Sequence, residues 1–303
     1  MWDALDPRGD DPRELSHSDP REHEERNPQD VFTSGLDLPR GPERERVYVH
    51  EHGYELRGSE ARALATIGAF RVVPASDLRD DRGRHGDVRH GDLERLRKAG
   101  LIRRIAPAEG ERRTALVTLT DRGRELLESQ RSPEHEHAQR FYAGPSKSRE
   151  LTHDAQLYRA YLRSADRLHA QGARVDRVIL DEDLKRDYQQ FLQQGNRDRP
   201  DSDGRPTRTL EELREWAQEH GLPMLDGSVQ FPDLRIEYEW PDGRRDVEDI
   251  EVLTPHYRGA HAAAKGRSGF TCYRAGSGGR MRGGSASRGD KPFDPDAADE
   301  FLR

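Results

Sequence analysis

Ala115-Leu-Val-Thr-Leu-Thr-Asp-Arg-Gly-Arg-Glu-Leu-Leu127 is the stretch on which the reading of this chain turns. Its first half alternates apolar and polar side chains, the period of a strand with one buried face. Its second half opens on Thr120 or Asp121, whose side-chain oxygens can accept the free N–H groups of a first helical turn, and Leu126 and Leu127 then pack inward. A strand that runs straight into a capped helix needs a partner strand. Residues 101–106, Leu-Ile-Arg-Arg-Ile-Ala, supply one across an arginine-bearing tip.

Upstream lie three helical segments. Ser59 reads as an N-cap, with Leu64, Ile67 and Phe70 at helical spacing. Pro74-Ala-Ser-Asp77 opens a second helix, and residues 79–86 are a polar connection. Asp87 caps a third, whose inner face is Val88, Leu93 and Leu96 and which ends at Gly100. Three helical segments, a hairpin and a fourth helix make residues 59–129 a winged helix-turn-helix in expectation, an arrangement that holds one helix in a DNA major groove. Arg84, His85, Arg89 and His90 at the start of the third helix would face base edges, with Arg95 further along; arginine can pair bidentately with guanine. Arg103 and Arg104 at the hairpin start, and Arg112 and Arg113 at the wing tip, suit phosphate or minor-groove contact. Against this, residues 59–129 hold 15 Arg and Lys to 12 Asp and Glu, a small surplus. Asp87, Asp92 and Glu94 lie on or near the third helix, where they would repel phosphate. Duplex-DNA binding and protein docking are therefore both open to the unit.

Composition sets the frame around it. Of 303 residues only 32% are hydrophobic while 36% are charged, too little apolar content for every segment to join a core. Residues 1–45, rich in Pro, Asp, Glu, Arg and His, read as a disordered tail, and residues 275–303 as a flexible Gly/Ser/Arg tail. The net charge of -7 means that nucleic-acid binding must rest on local basic patches. The single cysteine, Cys272, excludes a disulfide framework and a cysteine-cluster zinc site. No apolar run is long enough to span a membrane and no secretory leader is visible, so a cytoplasmic protein is expected. One short strand is expected within residues 47–56, giving a first domain over residues 46–129. A polar linker follows over residues 130–149.

The second domain, residues 150–274, mixes helices with a small sheet. A helix begins near Thr152-His-Asp and runs to Gly172. Then come a strand at Arg174–Leu180, a helix to Gln194, a polar loop over residues 196–206, a helix over residues 210–220, a hairpin, and a helix over residues 257–265. The hairpin is Phe231-Pro-Asp-Leu-Arg-Ile-Glu-Tyr-Glu-Trp240 and Arg245-Asp-Val-Glu-Asp-Ile-Glu-Val-Leu253, joined by Pro241-Asp-Gly243. Pro and Asp suit a type I turn and Gly the left-handed position after it, so Trp240 pairs with Arg244 and partner numbers sum to 484. Leu234, Ile236, Tyr238 and Trp240 then share a face with Ile250 and Val252, joined near the turn by Asp246 and Glu248. On the other face Asp233 falls opposite Glu251, near Asp249 and Glu237. Like charges so placed repel, and either solvent screening or a hard cation such as Mg²⁺ relieves them.

Pro232-Asp233 followed by Asp249-Ile-Glu251 resembles the PD-(D/E)xK nuclease pattern, in which two acids on a hairpin hold a metal and a lysine aids the attacking water. The resemblance implies Asp233, Asp249 and Glu251 as catalytic acids, with Asp233 and Glu251 holding Mg²⁺. The lysine position is Glu251 or Leu253, depending on which acid is second, and Lys265 on the following helix is the substitute. Residues 59–274 as a whole, a winged helix, His153-Asp154 opening a helix, then a degenerate nuclease-like sheet, resemble the replication-relaxation family of plasmid and mobile-element proteins. That implies an α+β chain with a winged helix followed by a nuclease-like α/β domain. It also implies a DNA-binding accessory or regulator in plasmid replication or conjugal mobilisation, not necessarily an enzyme; no cofactor is expected, or Mg²⁺ if the chain is a nuclease. Double-stranded DNA is the expected partner; relaxase or replication proteins and a homodimer are further partner classes. The alternatives are a Mg²⁺-dependent nuclease and a protein–protein interaction module.

Overall fold

A computed structural model describes residues 30–80, 82–105, 115–133, 139–145, 150–195, 208–253 and 267–274. The two expected tails beyond residues 30 and 274, the expected wing tip with Arg112 and Arg113, the expected polar loop, and the expected helix carrying Lys265 lie outside these residues. The chain is mixed α+β. Among the described residues no helix is long and apolar enough to cross a membrane.

The first half is built around α1 (Gly58–Phe70), an alanine-rich helix buried along its whole length except at Arg62. A helix apolar on every side is a central one. Its start corrects one expectation: Ser59 lies inside the helix, 1% exposed, and Arg57 is the cap, its N–H taken by Glu60 Oε2 at 3.2 Å. Before α1, β1 (Glu45–Val49) and β2 (His52–Leu56) form an antiparallel hairpin where one strand was expected. After it come β3 (Val73–Pro74), α2 (Gly91–Lys98), β4 (Ile102–Ile105), β5 (Leu116–Leu119) and α3 (Asp121–Ser129). The three strands form one antiparallel sheet in the order β3-β5-β4. Thr120 caps α3 as expected, its Oγ1 accepting from the Gly123 N–H at 3.1 Å.

The second expected helix is only a 3-10 turn, Ala75–Asp77. Its continuation is blocked by a local alternative, because Asp80 Oδ1 accepts the N–H groups of Arg82 and Arg84 at 3.0 and 2.9 Å. Such side-chain-to-backbone bonds compete with helix. Asp87 likewise turns the chain rather than capping α2: its Oδ1 takes the Arg89 N–H, and the helix starts four residues on at Gly91, whose φ of 67° suits glycine.

The second half has α4 (Leu151–Ala170), β6 (Arg174–Leu180), α5 (Asp181–Gln194), α6 (Leu210–Glu219), a minute hairpin of β7 (Met224–Leu225) and β8 (Ser228–Val229), then β9 (Leu234–Glu239), β10 (Arg245–Leu253) and β11 (Thr271–Arg274). The sheet runs β11-β10-β9-β6, antiparallel except for the parallel pair β10–β11. The β9–β10 register is the expected one, Arg245 opposite Glu239 through Ile250 opposite Leu234. Gly243 takes φ 80° in the three-residue loop. Strand β11, inside a stretch dominated by Gly, Ser and Arg, was not foreseen.

One core runs through both halves. Phe70 at the end of α1 meets Tyr158 and Tyr161 of α4 at centroid distances of 5.1 and 5.0 Å, and Phe32 edge-on at 5.4 Å. Phe32, 1% exposed, belongs to the stretch expected as tail. The described part of the expected linker is structural too. Phe141 and Tyr142 are buried, Tyr142 N–H bonds the Gly68 carbonyl at 2.9 Å, and the Gln139 amide bonds both backbone groups of Val178 on β6. That amide satisfies the free edge of the sheet.

Candidate functional site

Two charged regions stand out, and they are organised differently. The first surrounds α2. Val88, Leu93 and Leu96 pack it onto the core, which leaves Arg95, Arg97 and Lys98 outward, with Arg89 and His90 at its start. The adjoining strand β4 exposes Arg103 and Arg104. Arg89, Arg95, Arg97, Arg103 and Arg104 make no ion pair with a carboxylate among the described residues. Two expected members of this surface are occupied locally. Arg84 is held by Asp80, 2.7 Å apart, and His85 Nδ1 sits 2.5 Å from the Ser76 carbonyl oxygen, beside Arg79.

Two of the acids near this surface are withdrawn or paired. Asp92 is 9% exposed and points back to Arg57, with which it forms an ion pair. Glu94 pairs with Lys98 at 2.9 Å, and the ammonium's hydrogen bond holds its carboxyl below the usual range. Asp87 accepts a backbone N–H. The sequence placed two negative charges on this helix and a third just before it; the fold turns Asp92 inward and pairs Glu94, leaving an exposed face that is predominantly basic.

The second region is the acidic end of the β9–β10 hairpin. The ladder stops at Leu234 because the next position toward the chain start that could pair is Pro232, which has no N–H to donate. Asp233 takes over there: its Oδ2 accepts the Val252 N–H at 2.8 Å and lies 3.2 Å from His153 Nε2 on α4. The Asp154 carboxylate is 3.8 Å from the other nitrogen of that ring. Burial alone would lower the His153 pKa, but the hydrogen bonds and charges of Asp154 and Asp233 outweigh it and raise the imidazole from 6.5 to about 10. His153 is therefore an imidazolium at neutral pH.

Asp249 is opposite Arg235, and the two form a bidentate pair at 2.7 and 2.8 Å. The same guanidinium donates to the carbonyls of His220 and Gly221 at the end of α6, at 2.6 and 3.1 Å. Glu237 is paired with Arg177 across β6–β9, at 2.5 Å. Glu251 is fully buried. Among the described residues no three His, Cys, Asp or Glu side chains converge in a way that could hold a metal ion. On the opposite face Glu248, foreseen near the turn, is 9% exposed and pairs with Arg167 of α4.

The acids nominated from the sequence thus lie on one face of one hairpin, but each of Asp233, Asp249 and Glu237 faces a cation. Arg235 and His153 are the partners that the sequence pattern did not assign to these acids. Arg235 was within reach, because the same register arithmetic that set Asp233 opposite Glu251 also sets Arg235 opposite Asp249. His153 was not, since 80 residues separate it from Asp233. Comparison of the chain with protein-family models, with curated proteins and with solved structures finds no match.

Proposed function

We propose that residues 59–129 are a winged helix that binds double-stranded DNA, with α2 lying in the major groove and the β4–β5 hairpin as the wing. The reading rests on one observation: the acids of α2 are turned inward or paired, while Arg89, Arg95, Arg97, Arg103 and Arg104 stay exposed without a carboxylate partner among the described residues. A chain with net charge -7 that keeps such a face uncompensated has a use for it. The β4–β5 pair between α2 and α3, with its long connection and with β3 completing the sheet, suits a wing. With the resemblance to the replication-relaxation family, this makes the chain a cytoplasmic DNA-binding accessory of a plasmid or mobile element, acting in replication or conjugal mobilisation.

The test is a binding titration on duplex DNA at several salt concentrations with Arg89→Ala/Arg112→Ala. Each lost phosphate contact lowers the slope of log K against log salt by about 0.9, so weaker binding and a flatter slope are expected. Unchanged binding removes this surface from consideration. The order of α4, β6 and the β9–β10 hairpin fits the nuclease-like layout implied by the resemblance, but its acids already have partners, and we assign that half no cleavage. Nicking of plasmid DNA in Mg²⁺ or Mn²⁺, lost in Asp233→Ala, would reverse that assignment.

A further inference from the structure

A nuclease-like hairpin implies a divalent cation between its acids, and the residues present do not fit one. Mg²⁺ demands near-octahedral oxygen ligation and usually keeps several of its waters. Asp249 has both carboxylate oxygens on Arg235. Asp233 gives Oδ2 to the Val252 N–H and to His153. Glu251 has no solvent-exposed surface through which a hydrated ion could reach it.

We propose that the acidic end of the β9–β10 hairpin carries its own cations, His153 for Asp233 and Arg235 for Asp249, and is a metal-free ionic lock joining α4 and α6 to the sheet. The geometry gives each cation a second task. Arg235 also binds the last carbonyls of α6, the helix end where positive charge is favourable. His153 sits in the first turn of α4, so its contact with Asp233 fixes that helix against the strand end. A buried pair of this kind is costly to break on one side because the remaining charge has no partner, while removing both charges together is far better tolerated.

The experiment uses the full chain without DNA, so it is independent of the DNA-binding reading. Thermal unfolding of the wild type across a MgCl₂ and a MnCl₂ series should show no saturable rise in midpoint. A saturable rise that disappears in Asp233→Asn overturns the proposal. Arg235→Met should lower the midpoint by about 6–12 °C, and Arg235→Met/Asp249→Leu should recover most of that loss. If the single variant does not fold, Asp249→Asn compared with the double variant reads the same coupling. A double variant no more stable than the single ones would also overturn the lock.

Discussion

The surface of α2 and the end of the β9–β10 hairpin contain the same chemistry, arginines and carboxylates close in space, and dispose of it in opposite ways. On α2 the acids are drawn in: Asp92 goes to Arg57 and Glu94 to its helical neighbour Lys98, and the arginines are left to solvent. On the hairpin the acids are met by cations from other elements, Asp233 by α4, Glu237 by β6 and Asp249 by β9, and little charge is left over. Unpaired arginine at a surface is a resource for binding a polyanion; arginine with its fork filled by carboxylate and carbonyls is a structural part. Residue type does not separate the two cases, but the partners do.

Five measurements test that contrast. The largest effect is expected in neither charged region but in the core they share. Phe70→Ala should cost about 3–5 kcal/mol. It should shift a single urea transition, because Phe70 contacts both Phe32 and the α4 tyrosines; two separate transitions would show that the halves unfold independently. Next, Arg235→Met should cost about 3 kcal/mol in chemical denaturation, since it strands Asp249 in a site where the pair is 6% and 12% exposed. Duplex binding by that variant should be unaffected under conditions where it remains folded. Third, Arg89→Ala/Arg104→Ala should flatten the salt dependence of DNA binding by about two contacts' worth and leave the unfolding midpoint within error. An unfolding shift without a change in binding would move these arginines to the structural class.

A smaller effect tests the hinge of the comparison. Arg57→Ala strands Asp92, whose side chain is 8% exposed, and because Arg57 itself is 31% exposed the stability loss should be about 2 kcal/mol, below that of Arg235→Met. DNA affinity should nonetheless fall, as a carboxylate returns to the basic face; Arg57→Ala/Asp92→Ala should restore it. The last test is in pH. The folded pKa of His153 is raised from 6.5 to about 10, so its contribution to stability is complete below about pH 6.5 and disappears as pH rises through the folded value. The wild type should lose stability between those limits relative to His153→Gln, measured as unfolding midpoints from pH 6 to 10. Parallel profiles for the two proteins would mean that folding leaves the imidazole's pKa unshifted.

Much of the element order was legible because it depends on local chemistry. Strands β6 and β10 and helix α5 have the expected bounds, Thr120 caps α3, and Pro241-Asp-Gly243 fixes the hairpin register. What escaped notice was short or remotely supported. The 3-10 turn replaces a helix because Asp80 captures two amides; β11 is a four-residue strand whose partner lies on the far side of the residues expected as a helix. Residues 30–33 and 139–145 looked like tail and linker by composition, yet Phe32, Phe141 and Tyr142 are buried. One or two aromatic anchors in a polar stretch are enough to order it when a cavity elsewhere accepts them.

From local pattern in the sequence came the cap of α3, the turn at Pro241-Asp-Gly243 and the facing of β9 against β10, because each depends on residues within a few positions of one another. The sequence also put arginines and acids on α2 and acids on the hairpin. The tertiary structure alone decided which charges remain available, because that depends on partners 35 residues away for Asp92 and 80 for Asp233. A carboxylate's electrostatic effect is set by the nearest cation and the local exclusion of water, and neither is written in the residues beside it.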